Sequence, residues 1–191
     1  MGRIRRPIRL ESRNIRLAGY KIKGCDITCH SHYITKESVY MDKKVSDSYT
    51  EQVHVLTMGT LNGYNRLFGG KLMAWIDEVA AVVARRHSSS NVTTASIDNL
   101  EFKKAAYAND TLVLKGKITY AGTTSMEINV KTYVEKLNGE NILINNAYVI
   151  MVALDENEKP KKIPGLKLET EEEINDWSEA LKRKENRKKM L

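Results

Sequence analysis

The residues of this chain best suited to chemistry lie within one stretch, Leu61 to Ala81, reading LNGYNRLFGGKLMAWIDEVAA. Asn62 sits in a polar turn, Gly69-Gly70 follows, and one aspartate, Asp77, then interrupts an apolar run. Burying a carboxylate in such a run without compensation costs roughly several kcal/mol. Withdrawn from water, it is also a better base. Backbone N–H groups at Gly70 and Lys71, in the first turn of a helix, lack intrahelical partners and can hold a carbonyl oxygen as it gains charge. Gly69 and Gly70 carry no side chain to block that approach. An asparagine amide can orient a water or the carbonyl. The chemistry these groups suit is attack on an activated carbonyl, as in thioester hydrolysis, which needs an oxyanion stabiliser and an activated water or nucleophile.

Plainer readings stand beside this one. From spacing alone, Asp77 can equally be a structural carboxylate bonded to Thr94 or Ser96. Asn62 on its own reads as a turn residue bonding its local backbone. Glu78 reads as interfacial or ion-paired. His54 and His87, the only histidines beyond residue 40, accompany no Ser or Cys nucleophile in a recognisable motif, which disfavours a catalytic triad.

Geometry constrains the site further. Gly70 and Asp77, seven residues apart, share a helical face but are separated by about 10 Å of rise. Bond formation requires an approach of about 3 Å. Asp77 therefore does not serve the N-terminus of its own helix. A second copy of the helix, antiparallel across a two-fold axis, joins them, with Asn62 and Gly70 from one chain and Asp77 from the other.

The elements that must position these residues read as α+β. Leu72 to His87 is apolar on nearly every side and is expected to be a buried helix. Its last turn holds Arg85, Arg86 and His87, where cations suit the helix dipole. Gln52 to Met58 alternates as an edge strand does. Four further strands are expected at Val92–Phe102, Thr111–Tyr120, Ser125–Glu135 and Ile142–Leu154, with turns at Ala121-Gly122 and Asn138-Gly139. This predicts a long antiparallel meander wrapped around the helix. From Leu168 onward a charged amphipathic helix is expected, opened by a capping box at Thr170 and Glu173. Its basic end, KRKENRKK, reads as a solvated face or frayed tail.

Composition bounds the rest. At 191 residues the chain is one domain with extensions: a basic arm over 1–40, expected to be disordered, a domain over 41–167, and a charged helix and tail over 168–191. The net charge of +7 sits at the ends. Residues 1–40 carry +6 and residues 182–191 carry +5, leaving −4 for 41–181. A primary nucleic-acid partner is therefore not expected. No run reaches the roughly 20 apolar residues of a membrane helix, and no secretory signal is evident. Both cysteines, Cys25 and Cys29, precede residue 41. With His30 and His32 they are metal-ligand types, yet four ligands in eight residues seldom wrap one ion, so no metal site is expected. Absence of a disulfide framework in the body fits a reducing, cytoplasmic setting.

Several blocks in order carry a resemblance. The turn and F-G-G, then W-I-D-E-V-A, V-T-T-A-S-I-D and G-T-T-S-M-E, resemble the hot-dog-fold acyl-CoA thioesterases, in particular the cytosolic acyl-CoA hydrolase group and its short bacterial members. The likeness runs from about Ser46 through Leu168 and into the final helix. It implies a hot-dog fold and hydrolysis of acyl-CoA without a cofactor, CoA being part of the substrate. It also implies a dimer, often a hexamer built as a trimer of dimers. By motif context it makes Asn62 and Asp77 the catalytic positions. Where the family has glycine three residues after the asparagine, this chain has Asn65, the non-glycine residue that best tolerates a left-handed backbone. Coenzyme A brings phosphates that want cations and N–H groups. Arg85, Arg86, Thr94, Lys103, Lys104, Thr124 and Ser125 are the candidates. The acyl chain is expected along the helix near Phe68, Met73 and Trp75. Hot-dog dehydratases are disfavoured because the helix has no histidine before His87. A non-catalytic acyl-CoA-binding sensor remains the alternative.

Overall fold

The computed structural model describes residues 41–189. The arm and its cysteine–histidine cluster lie outside the described residues. A two-residue strand, β1 (Lys43–Lys44), precedes a 3-10 turn at Ser46–Ser48 and strand β2 (Thr50–Val55). A second 3-10 turn at Met58–Thr60 leads through the Asn62 turn into helix α1 (Gly69–Ser88). Strands β3 (Asn91–Phe102), β4 (Thr111–Ala121), β5 (Ser125–Glu135) and β6 (Asn141–Leu154) follow. The short β7 (Leu166–Lys167) pairs in parallel with β1, and helix α2 (Glu171–Lys189) ends the described chain.

The five main strands form one antiparallel sheet in the order β2-β4-β5-β6-β3. Only β4, β5 and β6 are a meander. Strand β3 pairs with β6 rather than with its successor β4, so the expected simple meander is corrected. The reason lies in α1: it crosses the sheet after β2 and delivers β3 to the opposite edge. The 3-10 turn at Met58–Thr60 likewise ends β2 three residues earlier than the alternation suggested.

The sheet curls around one side of α1. Leu72, Trp75, Ile76, Val79, Ala80, Val83 and Ala84 are buried against Leu112, Leu114, Ile118, Ile128, Val130, Val149 and Met151. Full burial of each large aliphatic side chain contributes roughly 1.5–3 kcal/mol. The helix lies so close to β4 that a Cβ on Gly116 would come within 2.6 Å of Val79 Cγ1. Glycine there is what allows the approach.

The far side of α1 is open. Met73, Ala74, Glu78, Val82 and Arg85 are exposed in the single chain, which corrects the expectation of a helix buried all round. This open face runs beside β3, whose Thr93, Thr94 and Ala95 are exposed at the sheet edge.

Helix α2 packs on the outer face of the sheet. Its capping box forms: Glu173 N–H donates to Thr170 Oγ1 at 3.2 Å, and Thr170 N–H to Glu173 Oε2 at 3.2 Å. Trp177 lies against Tyr120, ring centroids 4.6 Å apart. The basic end is not simply solvated. Arg183 and Arg187 converge at 2.7 and 3.1 Å on Glu127, a carboxylate only 1 % exposed, which also accepts from Thr119 Oγ1 at 2.9 Å. Arg187 also reaches Asp98 at 2.7 Å, tying α2 to β3.

Candidate active site

The turn before α1 is held by its own asparagine. Asn62 Oδ1 accepts from the N–H groups of Tyr64 at 2.9 Å and Arg66 at 3.2 Å. Asn62 N–H donates to Arg66 C=O at 2.7 Å. Two backbone donors on one side fix the oxygen end of the amide there. The Nδ2 end is left with no partner among the described residues. The plainer and the chemical reading of Asn62 are thus compatible: the oxygen shapes the turn, and the amino group remains a donor. Asn65 closes this turn with φ of 55°, the left-handed conformation expected of it.

At the helix start, Phe68 occupies the cap position without a side-chain cap. Its carbonyl accepts from Lys71 N–H at 2.9 Å and Leu72 N–H at 3.1 Å. Lys71 is therefore already engaged, which corrects its place among the open donors. The N–H groups of Gly69 and Gly70 have no partner among the described residues. A Cβ on Gly70 would stand 2.7 Å from Phe68 Cε1, so the ring lies directly over that glycine.

Asp77 lies two turns further along, half-buried at the border of the open helix face. Thr94 Oγ1 donates to its Oδ1 at 2.5 Å, and Thr94 also approaches Met151 Sδ at 3.4 Å. In one chain Asp77 is far less enclosed than an apolar helix suggested, because its surroundings are open on the β3 side. Glu78 accepts from Gln52 Nε2 at 3.5 Å, away from these groups.

The other candidate residues separate. Arg86 Nη1 donates to Tyr49 C=O at 2.6 Å and Thr50 Oγ1 at 3.0 Å, bracing β2. Arg85 borders a cleft with Asn91, Asp155 and Glu156. Lys104 shares a cleft of about 310 Å³ with Asn62. Thr124 accepts from Ala153 N–H at 2.9 Å through its carbonyl. Ser125 lines a second cleft of about 240 Å³, on the outer sheet face, with Ser96, Tyr120, Lys184, Arg187 and Lys188. Those α2 cations escaped the sequence reading because a basic helix end without a visible packing partner looks solvated. The pairing of Arg187 with Asp98, 89 residues away, has no local signal.

His54 stacks on Trp75 with centroids 4.0 Å apart, and burial pushes its imidazole below the ordinary value. His87 is fully buried at the other end of α1, 3.1 Å from Pro164 C=O. Neither faces a nucleophile. Among the described residues no three Cys, His, Asp or Glu side chains gather as a metal site. Among the same residues no helix is long and apolar enough to cross a membrane.

A five-stranded antiparallel sheet curled around a long helix, with glycine N–H groups at the helix start and a carboxylate on its open face, defines a hot-dog protein built for acyl chemistry. The chain belongs to the thioesterase superfamily, in its acyl-CoA thioester hydrolase group. Residues 64–139 match the superfamily itself. A Bacillus subtilis protein described as an uncharacterized acyl-CoA thioester hydrolase is 42% identical over 128 residues, 66% of this chain and 74% of that protein. An apo-hexameric acyl-CoA thioesterase superimposes with a TM-score of 0.76 at 42% identity, covering 78% of this chain and 97% of the other. An acyl-CoA hydrolase from Staphylococcus aureus, solved with butyryl-CoA, CoA and CoA disulfide, superimposes with a TM-score of 0.74 at 36% identity, covering 78% and 91%. The same hydrolase has been solved with alanine in turn at an asparagine, at an aspartate 15 residues on, and at a threonine 17 residues beyond that. Asn62, Asp77 and Thr94 stand at the same spacing.

Proposed function

We propose that the chain hydrolyses acyl-CoA thioesters to CoA and free acid at a site shared between two copies of itself. The observation that carries this reading is the coexistence, on one open helix face, of partnerless Gly69 and Gly70 N–H groups and a Thr94-anchored Asp77. They are about 10 Å apart along the helix. A two-fold axis across this face sets Asn62 and Gly70 of one protomer against Asp77 of its partner. The exposed edge of β3 and the exposed Met73 and Val82 support burial of this face in a dimer. The hexameric thioesterase neighbour supports further assembly as a trimer of dimers.

In this arrangement the thioester carbonyl oxygen accepts from Gly70 N–H. Asp77, held through one oxygen by Thr94, uses the other to take a proton from water. The hydroxide attacks the carbonyl carbon, and the oxyanion develops against the helix N-terminus, where the dipole favours negative charge. Collapse breaks the C–S bond. The proton on Asp77 passes to the leaving thiolate, giving CoA, and the acid departs. The Asn62 amino group orients the attacking water or the carbonyl.

The cleft at Ser125 fits the CoA nucleotide. It combines an apolar floor from Met126 and Ile150 with Lys184, Arg187 and Lys188 at its rim. Residue 41 onward carries no cysteine, and a mouse cytosolic acyl-CoA thioester hydrolase is 31% identical over 141 residues. Both support a cytoplasmic location.

The test is thiol release from a panel of acyl-CoA esters by the parent protein and by Asp77→Ala. Turnover by the parent, lost in a folded mutant, is expected. A folded oligomer that binds these esters and hydrolyses none would make this protein a sensor. Single turnover in ¹⁸O-water probes the role of Asp77: a base leaves the label in the acid alone, whereas label in the Asp77 side chain requires an anhydride intermediate opened at the Asp77 carbonyl.

A further inference from the structure

The cleft beside Asn62 has a composition that thioester hydrolysis alone does not require. Its floor is apolar: Leu72, Ala106 and Ile144, each no more than 3 % exposed, close it from below. Its mouth is cationic. Arg66, Lys103 and Lys104 all line it and are all exposed. Lys103 is 3.4 Å from Glu101. Arg66 and Lys104 have no carboxylate partner among the described residues. This concentration of positive charge belongs to a body, residues 41–181, whose net charge is −4, so it is not a general property of the surface.

We propose that this cleft is an acyl subsite that selects chains ending in a carboxylate, that is, the mono-CoA thioesters of short dicarboxylic acids. The proposal rests on the hydrolase reading above and deepens it. Asn62 lines the cleft, so an acyl group whose carbonyl sits at Asn62 and Gly70 enters it directly. The volume, about 310 Å³, is at the low end of ligand pockets, which run roughly 300–1,000 Å³. A short methylene chain fills such a floor. Its distal end returns to the mouth, where a carboxylate meets the Arg66 guanidinium and the Lys104 ammonium. An arginine can bind that carboxylate bidentately. The phosphates of CoA do not need these cations, because Lys184 and Lys188, neither paired with a carboxylate among the described residues, stand at the other cleft.

The experiment compares kcat/KM for hexanoyl-CoA and adipyl-CoA, and for butyryl-CoA and succinyl-CoA. It uses the parent, Arg66→Gln/Lys104→Gln, and Ala105→Leu, which narrows the cleft from an exposed position. The same proteins are titrated with S-hexyl-CoA and S-(5-carboxypentyl)-CoA, thioethers that no hydrolase cleaves. The parent is expected to prefer the carboxylate-bearing partner of each pair. The double variant is expected to lower the dicarboxylic-to-monocarboxylic ratio about tenfold, the effect of removing a hydrogen-bonded charge partner. Ala105→Leu is expected to weaken the six-carbon esters more than the four-carbon ones. A parent that disfavours the carboxylate, or a ratio unmoved in the double variant, overturns the proposal. Equal loss on every ester and thioether also overturns it, since that assigns the cations to CoA. No turnover of any ester, with the thioether preference retained, sinks catalysis and leaves the subsite standing.

Discussion

Thr94 Oγ1 donates to Asp77 Oδ1 across 2.5 Å, joining the exposed edge strand β3 to the open face of α1. The carboxylate is thereby fixed through one oxygen, with the other left for water. Thr94→Ala removes the anchor while leaving the core untouched, because Thr94 is exposed. Its kcat is expected to fall about tenfold or more, the cost of letting a reacting group lose its orientation. Thr94→Ser keeps the hydroxyl and is expected to retain most of the rate. Steady-state kinetics on both variants check this. Equal losses in Ala and Ser would show that the methyl contact, not the hydrogen bond, matters.

Asp77→Asn keeps size and polarity and abolishes the base. General base catalysis contributes about 10² to 10⁴ in rate, so a loss within that range is expected at unchanged folding. Circular dichroism and thiol release together decide it. A variant within about threefold of the parent is incompatible with a catalytic carboxylate.

Gly70 stands against the Phe68 ring, and a methyl group there would meet that ring at 2.7 Å. Gly70→Ala is expected to displace either the ring or the first turn of α1, lowering kcat by up to about 10², as loss of one oxyanion donor does. Phe68 is 55 % exposed, so its removal does not open the core. Phe68→Ala/Gly70→Ala is expected to recover part of the rate lost by Gly70→Ala alone. No recovery would mean that the methyl blocks the substrate itself.

Glu127 is the buried end of a network that docks α2. Replacing it with Gln leaves Arg183, half-buried, without its counter-charge and leaves Arg187 with Asp98 alone. Breaking a buried pair on one side costs about 3–5 kcal/mol. Urea unfolding of Glu127→Gln is expected to show a loss of that order. A change below about 1 kcal/mol would mean that solvent compensates Arg183 and Asp98 suffices for Arg187.

His87 gives the fold a pH dependence with a definite sign. Burial is the largest influence and pushes its imidazole below the ordinary value of about 6.5. The neighbouring Lys43 acts in the same direction, and the Pro164 hydrogen bond, Asp47 and Asp42 act against it. Nε2–H donates to Pro164 C=O, while Nδ1 has no partner among the described residues. The folded state therefore resists protonation that the unfolded chain accepts. Stability is constant above the unfolded value and falls as pH drops from about 6.5 toward the folded value. His87→Gln offers a similar donor without a titrating ring and is expected to flatten this part of the profile. Unfolding midpoints measured between pH 7.5 and 5 test it; an unchanged slope in the variant places the dependence elsewhere.

What the sequence revealed, and what it hid, follows from the range of the interactions. Helix α1, the five long strands, the Thr170–Glu173 capping box and the left-handed Asn65 each depend on neighbours within a few residues, so pattern and spacing expose them. The pairing of β3 with β6 depends on where a 20-residue helix sets the chain down, and no local feature encodes it. The same holds for Glu127, which reads as a surface acid on an alternating strand until α2 covers it. Asn62 was ambiguous because one amide has two ends: the oxygen obeys the local turn, and only the fold shows that the amino group remains. The open donors stand one residue earlier than Gly70 and Lys71, since Lys71 N–H donates to the Phe68 carbonyl. Asp77 reads as buried in sequence because the residues around it are apolar, yet in the single chain Met73, Ala74 and Val82 beside it are exposed.

The proposed dimer gives the sharpest test. Asn62→Ala and Asp77→Asn each remove a group from every site of a homodimer. In a hybrid dimer, both lesions fall into one site if the sites are shared, and the other site is intact. Random reassortment makes half of the dimers hybrids, each with one working site, so a mixture of two inactive variants is expected to recover about a quarter of the parent activity. If each protomer holds a complete site, every site in every hybrid carries one lesion and the mixture stays inactive. Unfolding and refolding the two variants together, against the same variants refolded apart and then combined, separates reassortment from residual activity. Recovery only in the co-refolded sample requires that Asn62 and Asp77 act across the two-fold axis.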